Sequence, residues 1–265
     1  MVDFEYKAHY DVNDYRRIIR LLRGEGGCPW DREQTHESIR RNLLEEAYEV
    51  CEAIDEGSPE HLREELGDLL MQVLFHADIE SDAGRFDLDD VADTACKKLI
   101  LRHPHVFGSA QVSSSAEVLE NWDAIKRVEK NQRSTGDAMD SVARSLPALW
   151  RAEKIQSKAQ KAGFDWPDAD AAADTLREKI AGVEDAMHRG EGVEEALGDA
   201  FFALTQVARL TGTDPEMALH EACERFIRRF RFMEAETDSR GKSLKELSGA
   251  QQEELYRRSE RPQDD

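Results

Sequence analysis

The triplet Leu66-Gly67-Asp68 recurs as Leu197-Gly198-Asp199, and Ala95-Cys96-Lys97-Lys98-Leu99-Ile100-Leu101-Arg102 recurs as Ala222-Cys223-Glu224-Arg225-Phe226-Ile227-Arg228-Arg229. Two segments that return in the same order restrict the chain to two copies of one unit, not one continuous fold. Both lie where apolar residues are spaced three and four apart, the period of a helix. No run alternates long enough for a sheet. The chain is therefore expected to be an all-α, tandem-repeat helical bundle.

The punctuation between apolar runs divides it further. Helices are expected from Tyr15 to Arg23, from a cap at Asp31 or Thr35 to about Asp55, from Glu60 to about Ser81, and from Leu88 to Arg102. Ser113-Ser114-Ser115 with Glu117 caps another, through Trp122 to about Val128. Asn131 to Asp140 is polar and reads as a mobile linker. Helices resume over Ser145 to Ala162, Ala169 to His188, Val193 to Thr211, Pro215 to about Glu236 and Ser248 to Arg258, and the last residues from Glu260 are expected to fray. The division is then 1–130, a linker 131–144, and 145–265. The second helix should carry an apolar stripe of Leu43, Leu44, Ala47, Val50, Cys51 and Ile54. The third should bury Leu62, Leu66, Leu69, Leu70, Val73, Leu74 and Ala77.

Charge excludes some functions. The net charge is -20 and the pI about 4.9, which argues against a nucleic-acid binder that grips phosphate backbones. None of the 4 cysteines forms a C-x-x-C pair, so reduced thiols in the cytoplasm are expected. The start lacks the basic and apolar regions of a signal peptide, and no apolar run reaches membrane-spanning length.

The acidic residues are not spread evenly. Between Arg41 and Arg63 there is no Lys or Arg, while Glu45, Glu46, Glu49, Glu52, Asp55, Glu56 and Glu60 fall in that stretch. On a helix Glu46 and Glu49 share a face, and so do Glu65 and Asp68. If the two helices pack antiparallel, these four carboxylates converge. A nest of hard oxygen ligands suits Mg²⁺, with Mn²⁺ as an alternative. Spacing alone fits a solvated acidic face as well. In the second copy, alignment on Leu-Gly-Asp sets Lys179, Gly182 and Ala196 opposite Glu46, Glu49 and Glu65, and only Asp199 remains. That copy is not expected to hold metal in the same way, and Lys179 is placed to fill the vacated space with its own charge.

Glu-Glu-x-x-Glu over Glu45 to Glu49, Glu-x-x-Asp over Glu65 to Asp68, Gly27-Cys28-Pro29-Trp30-Asp31 upstream, and Arg102 to Gly108 with Ser145-Leu146-Pro147-Ala148-Leu149 downstream together resemble the MazG family of nucleoside triphosphate pyrophosphohydrolases. The resemblance runs from about Ile18 to about Tyr256 in two repeats. It implies an all-α fold in which helical hairpins of two subunits form bundles. It implies Mg²⁺-dependent hydrolysis of a nucleoside triphosphate to the monophosphate and pyrophosphate, carried here by the first repeat. On this resemblance Glu46, Glu49, Glu65 and Asp68 are metal ligands, and Glu45 is a candidate for orienting or deprotonating the attacking water. Lys98 and Arg102 match the family's basic pair, and Asn42, one turn before Glu46, is within reach of the nucleotide.

Other readings compete residue by residue. Lys98 and Arg102 also fit ordinary surface charges. Trp122 is a candidate for stacking on a base, although an aromatic at helical spacing more often serves a core or interface. Trp30 is expected to anchor its loop, and His103 and His105 to be loop hydrogen-bonders without a third ligand nearby. At the level of the whole protein, the rival is a dimeric helical adaptor with weak or no catalysis. The wide apolar stripes also point to a homodimer, because a two-helix hairpin cannot bury them alone.

Overall fold

A computed structural model describes residues 4–130 and 132–260. Asn131, where the expected linker opens, and 261–265 of the end expected to fray lie outside the described residues. The described residues form helices and no strand. The chain divides into two compact units, Met1–Lys126 and Arg127–Asp265.

The first unit contains α1 (Val12–Arg23), α2 (Pro29–Arg32), α3 (His36–Glu56), α4 (Pro59–Asp82), α5 (Leu88–Arg102), α6 (Pro104–Phe107) and most of α7 (Ser115–Glu129). Its frame is the hairpin of α3 and α4, with α1 and α5 packed on α4. Local chemistry sets the hairpin's ends. Thr35 and Ser38 form a reciprocal capping box at the start of α3. Gly57 closes α3 at φ 65°, a left-handed position that a side chain would strain. Ser58 caps α4, and Pro59 supplies a ready-made first turn.

Ile19 of α1, Ile39 of α3, and Leu74 and Phe75 of α4 make the buried core, flanked by Tyr15, Leu70, Met71, Ile79 and Leu88. A polar lock lies beside it. The buried Arg23 donates from Nε to Asp78 at 2.9 Å, from Nη2 to Asp82 at 2.9 Å and from Nη1 to the Asp31 carbonyl at 3.1 Å. One side chain thus joins α1, α2 and α4.

The second unit contains α8 (Thr135–Asp140), α9 (Ala148–Lys161), α10 (Ala169–Arg189), α11 (Val193–Leu210), α12 (Pro215–Asp238), a 3-10 turn at Leu244–Glu246 and α13 (Gly249–Ser259). Its frame is again a hairpin, of α10 and α11, with α9 packed on α11 and α12 and α13 packed on α12. Small and polar groups fill much of its interior. Ala172, Ala186, Ala203, Thr205 and Gln206 are buried, and Gln206 donates to Asp165 at 2.9 Å.

Three expectations are corrected. The linker segment holds a capped helix, α8, whose Ser134 and Asp137 form a capping box and whose Ala138 is buried. Val142 just beyond it is buried too, and α8 packs on α9. The apolar positions of the hairpin are not all inside. Leu44 is 49% exposed, Ile54 57% and Leu66 49%, while Cys51 and Val73 are also exposed. The reason is geometric: α1 and α3 cover the side of α4 that bears Leu74 and Phe75, and the side bearing Leu66 and Val73 meets solvent in the single chain. Finally, Trp30 is 62% exposed and anchors no core. Its loop is held by Cys28 and Gly27, whose N–H groups donate to Leu22 at 2.7 Å and Gly24 at 3.1 Å.

Candidate functional site

The hairpin sets its carboxylates in register about the turn. Glu49 and Glu65 stand eight residues to either side of Gly57, and Glu46 and Asp68 stand eleven to either side. Antiparallel helices that meet at Gly57 therefore bring each pair level. In the structure one carboxylate oxygen from each of Glu46, Glu49 and Glu65 lies within 4.8 Å of the others. Glu65 is buried to 9% exposure, Glu46 and Asp68 are half-buried, and Glu49 is exposed.

Like charges this close oppose ionisation unless a cation joins them. Glu46 registers the strain. Burial, followed by the charges of Asp68, Glu49 and Glu65, pushes its carboxyl above the ordinary range. Asp68 thus belongs electrostatically to the group through Glu46. The donor set is all oxygen, partly buried and open at Glu49, which fits a hard divalent cation that keeps some of its water.

Two residues that the sequence did not single out meet this group. Tyr15 of α1 donates its hydroxyl to the Gly67 carbonyl at 3.2 Å, between Glu65 and Asp68. Burial, then the charges of Asp68 and Glu46, raise its phenol pKa. His61, one helical turn before Glu65, has Nε2 3.1 Å from Oε1 of Glu65. The i, i+4 spacing of His61 and Glu65 was a legible signal. Nothing in the sequence around Tyr15 pointed across to α4.

The remaining candidates are placed as follows. Glu45 is exposed and accepts from Arg41 Nε at 2.9 Å, on the neighbouring face of α3 and outside the group of Glu46, Glu49 and Glu65. Asn42 is half-buried on α3 one turn before Glu46. Lys98 is exposed on α5. Arg102 is buried, with its guanidinium 5.1 Å from the Trp122 ring centre, and Lys126 lies 4.8 Å over the same ring. Two cations therefore lie over the Trp122 ring, and the Arg102 contact ties α5 to α7. His103 Nδ1 sits 2.6 Å from the Leu99 carbonyl at the end of α5.

In the second unit the corresponding place is closed by an ion pair. Lys179 Nζ lies 2.7 Å from Asp199 Oδ2, at the two positions aligned with Glu46 and Asp68. The Asp199 bond, more than its charge, raises the Lys179 pKa. The stack of a basic residue on an aromatic is retained, with Arg229 5.5 Å from the Tyr256 ring centre.

Comparison with known proteins fits this architecture. The MazG nucleotide pyrophosphohydrolase domain matches residues 34–107, which span the acidic hairpin and α5. A nucleoside triphosphate pyrophosphohydrolase of Escherichia coli (strain K12) is 41% identical over 262 residues, covering 96% of this chain and 100% of the relative. A nucleoside triphosphate pyrophosphohydrolase/pyrophosphatase MazG of Thermotoga maritima is 40% identical over 230 residues, covering 87% of this chain and 88% of the relative. A nucleoside triphosphate pyrophosphohydrolase of Mycobacterium tuberculosis is 50% identical over 138 residues, or 51% of this chain and 41% of that protein. With two tandem hairpins and relatives similar along nearly its whole length, the chain belongs to the MazG nucleotide pyrophosphohydrolase family.

Proposed function

We propose that the protein hydrolyses nucleoside triphosphates to the monophosphate and pyrophosphate with Mg²⁺, and that the first unit carries the reaction. The observation that supports the site most directly is the convergence of Glu46, Glu49 and Glu65 within 4.8 Å, with Asp68 raising the Glu46 pKa from the next turn of α4. These four hold the metal, and Mn²⁺ is a fitting substitute. When bound, divalent ions activate water and offset charge on the phosphates.

The water oxygen bonds to the α-phosphorus, and the bridging oxygen leaves with pyrophosphate. Glu45 is one residue from Glu46, and acts on the water once it leaves Arg41. Lys98 supplies positive charge to phosphates beyond the metals. Asn42 contacts the nucleotide from one turn above Glu46, and Arg102 with Trp122 offers a cationic and aromatic pair to it. In the second unit Lys179 neutralises Asp199 internally, so that unit holds no metal in the same way.

A second copy of the chain covers the exposed apolar faces of the hairpins. Burying a Leu or Ile side chain is worth about 1.5–3 kcal/mol each, and Leu44, Ile54 and Leu66 are all open. Unpaired cysteines at Cys28, Cys51, Cys96 and Cys223 suit a reducing cytoplasm. Product identification with each triphosphate tests the reaction. Release of monophosphate and pyrophosphate supports it, while release of inorganic phosphate alone contradicts it.

A further inference from the structure

One imidazole ties the end of α3 to the candidate metal centre on α4. His61 sits at the third position of α4, with its N–H donating to the cap hydroxyl of Ser58 at 3.3 Å. Its Nδ1 lies 2.8 Å from Oε2 of Glu56, the last residue of α3. Its Nε2 lies 3.1 Å from Oε1 of Glu65. An ionised carboxylate only accepts, so Nδ1 donates to Glu56, and Nε2 stands beside Glu65 within ion-pair distance. The ring is half-buried and Glu65 is buried. A buried carboxylate with one oxygen engaged has a defined orientation, and outer partners of this kind fix how ligands meet a metal.

We infer that His61 is a positioning residue for Glu65: braced by Glu56, it holds Oε1 and turns the other carboxylate oxygen toward Glu46 and Glu49 for the cation. This rests on the metal reading above. Two effects oppose each other here. A fixed ligand strengthens metal binding, and a cationic ring beside the site weakens it. Donor geometry and charge can be separated by substitution. Gln reaches about as far as Nε2 and donates without charge, whereas Asn reaches only about as far as Nδ1.

The test is Mn²⁺ titration of the full chain without nucleotide, followed by electron paramagnetic resonance, with melting temperatures measured alongside. His61→Ala and His61→Asn are expected to weaken Mn²⁺ binding by about 10–100-fold, the usual effect of removing an outer partner. His61→Gln is expected to recover most of that affinity, and the His61→Ala rate is expected to recover at high Mg²⁺. Glu49→Gln is the control for the site itself. If Glu49→Gln loses Mn²⁺ while both shortened His61 variants bind as tightly as the unmodified chain, the inference is overturned, even if they melt earlier. Equal loss in His61→Gln and His61→Asn also overturns it, because reach to Glu65 then makes no difference. If Glu49→Gln itself binds Mn²⁺ unchanged, the metal reading fails and takes this inference with it. Where His61→Ala does not fold, the Gln and Asn variants alone decide.

Discussion

Glu80 shows how far a single residue can be moved from its ordinary chemistry. Arg85, first by its hydrogen bonds and then with help from His36, holds its carboxyl at about 2. Arg85 donates from Nε at 2.5 Å and Nη2 at 2.7 Å, and His36 Nε2 lies 2.5 Å away. A folded-state value below the ordinary 4.5 means stability that is complete above that value and lost as pH falls toward 2. Glu80→Gln is therefore expected to lower stability at neutral pH and to leave it little changed near pH 2, which flattens the acid limb of the unfolding curve between those values. Urea denaturation across that pH range checks it, and an unchanged acid limb contradicts it. At the centre itself, Glu49→Gln removes a ligand outright. Its loss of rate is expected to exceed about 100-fold, the upper end for outer-partner changes. Glu45→Gln is expected to lose rate while keeping Mn²⁺ affinity, since Glu45 lies outside the coordinating group. Steady-state rates and Mn²⁺ titration separate the two.

At the scale of the element, the α3–α4 hairpin carries both the core and the site. Arg23 clamps α1 to it, with half-buried Asp78 as the main partner. Arg23→Met is expected to cost about 3 kcal/mol, the low end for breaking a buried ion pair, because Arg20 still reaches Asp78 at 2.9 Å. Gly57→Ala is expected to cost about 1 kcal/mol through the left-handed cap, and the two effects are read by urea denaturation. A neutral Arg23→Met would show that Arg20 alone is a sufficient partner for Asp78.

Long helices were legible from the sequence because caps and a 3.6-residue period agree over many residues. Thr35, Ser58, Asp87 and Gly57 mark their ends as the residue types demand. The short helices α2, α6 and α8 span too few turns to show a period, and α8 hid in a polar segment because its one buried side chain is an alanine. The convergence of Glu46, Glu49 and Glu65 follows from spacing and antiparallel pairing. The bracing of Glu65 by His61 could have been suspected from spacing, but its partner Glu56 depends on how the turn folds back. Which stripe residues are exposed was not legible, since apolarity marks a surface for burial without saying which chain buries it.

For the whole molecule, the two units share a plan and differ in charge at the acidic group of the hairpin. The first unit leaves carboxylates facing one another, and the second pairs Lys179 with Asp199. No described helix is long and apolar enough to cross a membrane. The open faces of the hairpins predict a particle of twice the 30.1 kDa chain mass in light scattering, and a strict monomer contradicts the proposed covering by a second copy. The most direct test of the central claim is product analysis of the unmodified protein, Glu49→Gln and Asp199→Asn with nucleoside triphosphates and Mg²⁺. The account predicts monophosphate and pyrophosphate from the unmodified protein and from Asp199→Asn, and almost none from Glu49→Gln. Turnover that survives in Glu49→Gln but disappears in Asp199→Asn would contradict it and move the reaction to the second unit.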